Sequence, residues 1–277
     1  MKRLYFFIIP LLLQSCSSMY IPPVSSIPLL EKKGEFQGEA GASTNSIYAN
    51  AAYAFTDHIA ASVSGNLSYK NFSNQYDIFS IILPPLLSSS KFAHRYAEAS
   101  VGAVNVLRSE TSGKPILEIF GGMGRGRATD NESICNWYRC DNTDCACDYY
   151  SFFAQGNFGV KECFGIKQPI FETGLSMRLA YSLFNYVANK NDDFLFQTNF
   201  GAFHIEPMGF VRVGGEKLKF VYRQGLNLAF TKKDPTGEHY SFRGFNETNI
   251  GKLRYTIFHF SIGASYRIGE KTDKSKK

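Results

Sequence analysis

The chain has 277 residues, 44% of them hydrophobic, with 25 Phe, 16 Tyr and 24 Gly and a net charge of +6. One all-β domain accounts for that length, since single barrels run to about 200–250 residues, and aromatic-plus-glycine enrichment favours strands with close backbone approaches over helices. Four Lys lie in the last nine residues, Gly269 to Lys277, so the excess charge is partly a solvated basic tail and does not call for a nucleic-acid partner.

The N-terminus reads as an export signal. Lys2 and Arg3 form a positive start, and Leu4 to Leu13 form an apolar run of ten residues. A helix needs about 20 residues to span a bilayer, so this run is a signal and not an anchor. Leu13-Gln14-Ser15-Cys16-Ser17-Ser18 follows. A Leu three places before a Cys, with a small residue directly before it, resembles the lipobox of bacterial lipoproteins; Gln14 stands where that family usually has a small residue. The resemblance implies cleavage after residue 15 and acylation of Cys16, with palmitate-type chains. Two or more acyl chains give stable anchoring, where one gives only marginal binding. Residues 16–33 contain Pro22, Pro23 and Pro28 and show no helical or strand period. They are expected to form a lipidated, extended tether starting at a membrane surface.

From Gly34 onward period-2 alternation recurs and no helical period does. In 171–183 one face is Phe171, Thr173, Leu175, Met177, Leu179, Tyr181 and Leu183; the other is Glu172, Gly174, Ser176, Arg178, Ala180 and Ser182. Residues 218–230 and 258–268 repeat the pattern, with Lys219, Arg223 and Arg267 on their polar faces. The predicted strands are 35–43, 46–56, 58–70, 92–107, 114–128, 149–163, 168–185, 200–213, 217–231 and 254–268. That makes an antiparallel transmembrane β-barrel of about ten strands over 34–268, with eight and twelve as alternatives and 269–277 as a polar tail. Most of these strands reach the 9–11 residues that a tilted strand needs to cross hydrocarbon.

The expected connections are of two kinds. Those near Thr56-Asp57, at 108–113, near Ile166-Lys167 and at Gly214-Gly215 are short. The alternate ones, at 71–91, 129–148, 186–199 and 232–253, are long; only the first of that set, near Thr44-Asn45, is short. Short turns on the periplasmic side and long loops outside is the outer-membrane arrangement. The expected tether falls on the short-turn side.

Lys33-Gly34-Glu35-Phe36 and Ala52-Tyr53-Ala54-Phe55-Thr56-Asp57-His58, after the lipobox and Pro-rich stretch, resemble the small outer-membrane β-barrel lipoproteins of the Bacteroidetes. Ser261-x-Gly263-x-x-Tyr266-x-Ile268 is similar to the last-strand signal read by the barrel-assembly machinery, although that signal usually sits nearer the C-terminus. These resemblances imply outer-membrane lipid and the assembly machinery as partners. They supply no catalytic residue.

A soluble barrel and a membrane barrel share the alternation and differ in which face is inside. The polar faces carry both charge signs, Glu118, Lys161, Glu172, Arg178, Lys219, Arg223 and Arg267, which can pair across a narrow lumen. Tyr53, Tyr69, Tyr181 and Tyr266 are expected near strand ends on the apolar faces, as an aromatic girdle. Both features favour the membrane barrel with a charged, largely side-chain-filled lumen.

Cys135-x4-Cys140-x4-Cys145-x-Cys147 stands in the expected outer loop 129–148. Four Cys in an exported chain read first as two disulfides, with three pairings open. A metal site is the alternative, although zinc prefers Cys-x2-4-Cys spacing. Gly121 to Arg127 lacks phosphate-loop spacing; Gly there makes room for a bulky lumenal neighbour or a bend. His204 and His259 are expected in the lumen as hydrogen-bonded residues. The run Ile78 to Leu87 in the loop 71–91 folds over the barrel mouth, dips into the leaflet or docks a protein. The expected function is a structural or interaction component acting through loops 71–91 and 129–148, without catalysis, cofactor or metal. A narrow solute channel and a lipid-modifying or proteolytic enzyme are the alternatives.

Overall fold

The computed structural model describes residues 20–43, 46–68, 88–105, 115–135, 140–163, 170–190, 194–231 and 258–269. In chain order the strands are β1 (Phe36–Ser43), β2 (Ile47–Ala54), β3 (Ile59–Leu67), β4 (Ser88–Ala103), β5 (Pro115–Cys135), β6 (Cys140–Cys163), β7 (Ile170–Lys190), β8 (Phe194–Gly214), β9 (Leu218–Leu226), β10 (Leu228–Thr231) and β11 (Phe258–Ile268). β9 and β10 are two parts of one stave. Both pair with β8, and only Asn227 separates them. Consecutive staves pair antiparallel, and β1 closes onto β11 from Phe36↔Ile268 to Ser43↔Ser261. The molecule is therefore a closed barrel of ten staves, as the alternation predicts. Closure leaves no unpaired edge, the condition for strands in hydrocarbon.

The outward face is apolar and the inward face polar. On β7, Leu175 is 65% exposed, whereas Arg178 three residues on is 0% exposed. On β3, Val63 and Leu67 face out while Ser62, Ser64 and Asn66 are buried. Such an inversion of the soluble pattern defines a transmembrane barrel. Tyr53 and Tyr266 lie near the short-turn ends, as a girdle requires. Tyr181 instead sits in the middle of β7, and Tyr69 is outside the described residues.

The short turns carry local stops. In the β2–β3 turn the Thr56 hydroxyl accepts from the amides of His58 (3.2 Å) and Ile59 (2.9 Å), closing the chain without a longer loop. At the other end two of the expected loops, 129–148 and 186–199, are largely strand among the described residues, and 71–87 and 232–253 lie outside them. β5 continues to Cys135 and β6 begins at Cys140, with the ladder intact between them. β7 continues to Lys190 and meets β8 at Phe194. Hydrocarbon is what sorts side chains by face. Beyond it the ladder persists but the alternation fades, so 129–148 and 186–199 carry no strand signal. β1, β2 and β3 have 8, 8 and 9 residues, whereas β5 to β8 have 21 to 24. The barrel thus has a low side and a tall wall.

Candidate functional site

The lumen is occupied by the chain's own N-terminal segment. Every residue from Tyr20 to Leu30 is buried. This corrects the expectation of a tether at a membrane surface, at least for residues 20–30. Proline cannot supply a full set of ladder donors, so beyond a single bridge at Tyr20 the segment does not join a sheet. Its carbonyls are instead met by side chains of the wall. Asn50 Nδ2 donates to the Val24 carbonyl (3.2 Å), Gln155 Nε2 to Ser26 (2.7 Å), Arg212 to Ile27 and Arg267 Nη2 to Pro28 (3.0 Å). The Leu30 amide donates to Glu118 Oε1 (2.7 Å), and the Tyr20 hydroxyl to Glu206 Oε1 (2.7 Å).

Its apolar side chains explain the apolar residues that point inward. Ile27 and Leu29 pack with Ile116, Met208 and Phe210, and Leu30 with Ala52, Ala54, Ala60, Val104 and Phe120. Tyr20 joins Tyr96, Tyr149, Phe184 and Tyr186, stacking on His204 with ring centroids 4.2 Å apart. Leu29 takes a left-handed backbone, φ 50°, which is costly for a branched residue. Its side chain fills the space over Gly159, where a Cβ would stand 2.6 Å from Leu29 Cδ1.

Charges fill the remaining space in paired layers. Arg178 lies 2.6 Å from Glu98 and 3.5 Å from Glu206, with its guanidinium 3.6 Å over the Phe153 ring. Arg223 sets its two amino groups 2.6 and 2.7 Å from the Glu39 carboxylate, and Arg212 is 3.4 Å from the same group. Glu172 gathers Lys219 (2.6 Å), Arg212 (3.5 Å) and Arg267 (3.6 Å). At the short-turn mouth Lys161 pairs with Glu31 at 2.7 Å. Each charge taken from water needs such a partner, because an unpaired buried ion costs several kcal/mol.

Glu118, Glu172, Arg178, Lys219, Arg223 and Arg267 are thus brought together inside the lumen, with Lys161 at its rim. Sequence reasoning missed Glu39, Glu98 and Arg212. Arg212 shares a face with Met208 and Phe210, which hides its inward direction until the segment packed on them is known. Gly124 and Gly126 face inward beneath the Tyr96 and Tyr149 rings, which occupy the space a Cβ would take. His204 and His259 are buried, and His94 Nε2 lies 2.8 Å from the Tyr149 hydroxyl.

Cys16 and the run 78–87 lie outside the described residues. The register sets Cys135 opposite Cys140 at the end of the β5–β6 hairpin. Cys145 and Cys147 stand two apart on β6; Cys147 is buried in the Tyr20 cluster, and the Tyr186 hydroxyl is 3.2 Å from Cys145 Sγ. Among the described residues, no group of three or more His, Cys, Asp or Glu is placed to hold a metal ion.

Fold and lumen together define a class: a transmembrane β-barrel closed by its own N-terminal segment. No protein-family model matches the chain, and no curated protein does. Among solved structures it is similar to OmpT (in-vitro folded), an outer membrane protein of Vibrio cholerae, at 10% identity over 87% of this chain and 100% of that one, with a TM-score of 0.16. So low a score carries neither architecture nor activity from one chain to the other.

Proposed function

We propose that this protein is an outer-membrane lipoprotein that acts as a structural or interaction component through the upper part of its tall wall and the connections at 71–91 and 129–148, without catalysis. The observation that carries this reading is the continuous burial of Tyr20 to Leu30, which with the paired charges leaves little of the lumen for a solute path. What is left to recognise a partner is the outside of the wall. Arg95, Arg125 and Arg127 are exposed there; Arg95 and Arg127 are register partners, and Arg125 stands 5.4 Å over the Tyr150 ring. A protein partner with an acidic face suits that surface.

The reading is tested in planar bilayers with the purified protein. Absence of stepwise conductance in the unmodified protein is expected. Reproducible steps favour the second reading, a narrow solute carrier that opens by expelling the segment. That reading draws support from one feature: four of the segment's carbonyls, those of Val24, Ser26, Ile27 and Pro28, are held by side-chain donors rather than a ladder.

A further inference from the structure

The segment in the lumen has a direction, and one stave gives it. β6 runs from Cys140 at the tall end to Cys163 at the short-turn end. Tyr20 packs on Tyr149 with centroids 5.4 Å apart, Ser26 is held by Gln155 at 2.7 Å, and Glu31 pairs with Lys161 at 2.7 Å. Contacts at 149, 155 and 161 advance with residues 20, 26 and 31. The segment therefore runs parallel to β6, toward the short turns. Beyond it the Lys33 amide donates to Asp57 in the β2–β3 turn (2.8 Å), and β1 begins three residues later. At about 3.3 Å per strand residue, Tyr149 and Lys161 are about 40 Å apart along the tilted stave. That compares with a hydrocarbon core about 30 Å thick.

We propose that the N-terminus crosses the membrane inside its own barrel, so that Cys16 stands at the tall-wall mouth with its acyl chains in the leaflet on that side. The placement of acyl chains rests on the lipobox reading; the crossing does not. Tyr20 shares a cluster with Tyr96, whose β3 partner Asn66 is one residue from the end of that stave. The low rim is thus close by. Leu67 and Ile47 are paired there and face outward, 56% and 37% exposed, at the top of the apolar belt. Four residues span at most about 14 Å. That reach lets Cys16 pass the low rim to lipid, and does not let it return to the short-turn side. Tyr20, the first described residue, thus stands at the end of the lumen opposite the short turns, where the tether was expected. With short turns periplasmic, the tall-wall mouth faces the cell surface.

The test uses the full chain in its native membrane. One epitope is inserted after Ser18 and, in a separate variant, one at Glu216 in the β8–β9 turn. Antibody binding is compared on intact and permeabilised cells, with heat-modifiable gel mobility as the check of folding. The expected result is that the first epitope is bound on intact cells and the second only after permeabilisation. The reverse assignment supports the crossing and overturns the outer-loop orientation of the proposed function. Both epitopes on one side overturns the crossing. Should an insertion prevent folding, Ser18→Cys labelled with an impermeant maleimide reads the same position. Palmitate labelling of the wild type that is lost in Cys16→Ser supports the anchor; no label on the wild type overturns the anchor and leaves the crossing to the epitopes.

Discussion

The low side and the tall wall of this barrel obey different rules. β1 to β3 have 8 or 9 residues, about what hydrocarbon requires, and their lumenal side chains include Asn50, Ser62, Ser64 and Asn66. β5 to β8 have 21 to 24 residues and carry Glu118, Gln155, Arg178 and Glu206 at membrane depth, with a further stretch above. The comparison teaches that stave length beyond the membrane's need is not used for spanning. Within the bilayer the wall grips the segment; above it, the same strands are free to serve as a surface.

The sharpest way to break that division is Arg178→Met. It leaves Glu98 and Glu206 buried without their cation, and a loss of about 3–5 kcal/mol is expected in urea unfolding from lipid vesicles. Removing the hairpin end 133–142 is expected to leave the same midpoint almost unchanged; an equal loss there would erase the distinction between gripping and projecting parts. Next in size, Leu179→Arg puts a charge on the lipid face and is expected to cost about 2–4 kcal/mol, whereas Asn185→Arg, higher on the same stave and outward, is expected to cost about 0–1 kcal/mol. Gly159→Val overfills the space held by Leu29. A loss of about 1–3 kcal/mol is expected, together with conductance events that the wild type lacks.

Two smaller effects sharpen the comparison at its ends. Cα atoms directly opposite in an antiparallel pair lie about 4.5–5.5 Å apart, within disulfide range. A Cys135–Cys140 bond across the hairpin end is therefore expected, read by peptide mass mapping before and after reduction. At the other mouth, burial opposes ionisation of Glu31, but Lys161 and then Arg267 outweigh it and hold its carboxyl below the usual range. Its contribution is present above the unfolded carboxylate range and is lost as pH falls through the lowered folded value. Glu31→Gln is expected to flatten that acid-side loss by less than about 1 kcal/mol, since the pair is partly exposed and screened.

Much of the fold was legible because lipid imposes a strict rule. Where a stave crosses hydrocarbon, every second residue must be apolar, and the runs 171–183, 218–230 and 258–268 declare themselves. Cys140 to Asp148 did not, because a ladder outside lipid needs no such sorting. The lumenal charges on β7, β9 and β11 were readable from parity alone. Glu39 and Glu98 sit among Ala, Gly and Ser on β1 and β4, where small residues on both faces blur parity. The occupied lumen was illegible for another reason. Tyr20, Ile27 and Leu29 form no periodic pattern, since each is fitted to a different part of a wall built much later in the chain.

The joint between β1 and β11 has a consequence for assembly. Its partners, such as Gln37 and Arg267, are 230 residues apart in sequence, and pairings so remote are slow to form. Until they form, the sheet is an open ribbon around which the first residues can be wrapped sideways instead of being pulled through end-on. Once that seam is zipped, the segment inside is captive, and it escapes only by sliding lengthwise or by parting the seam.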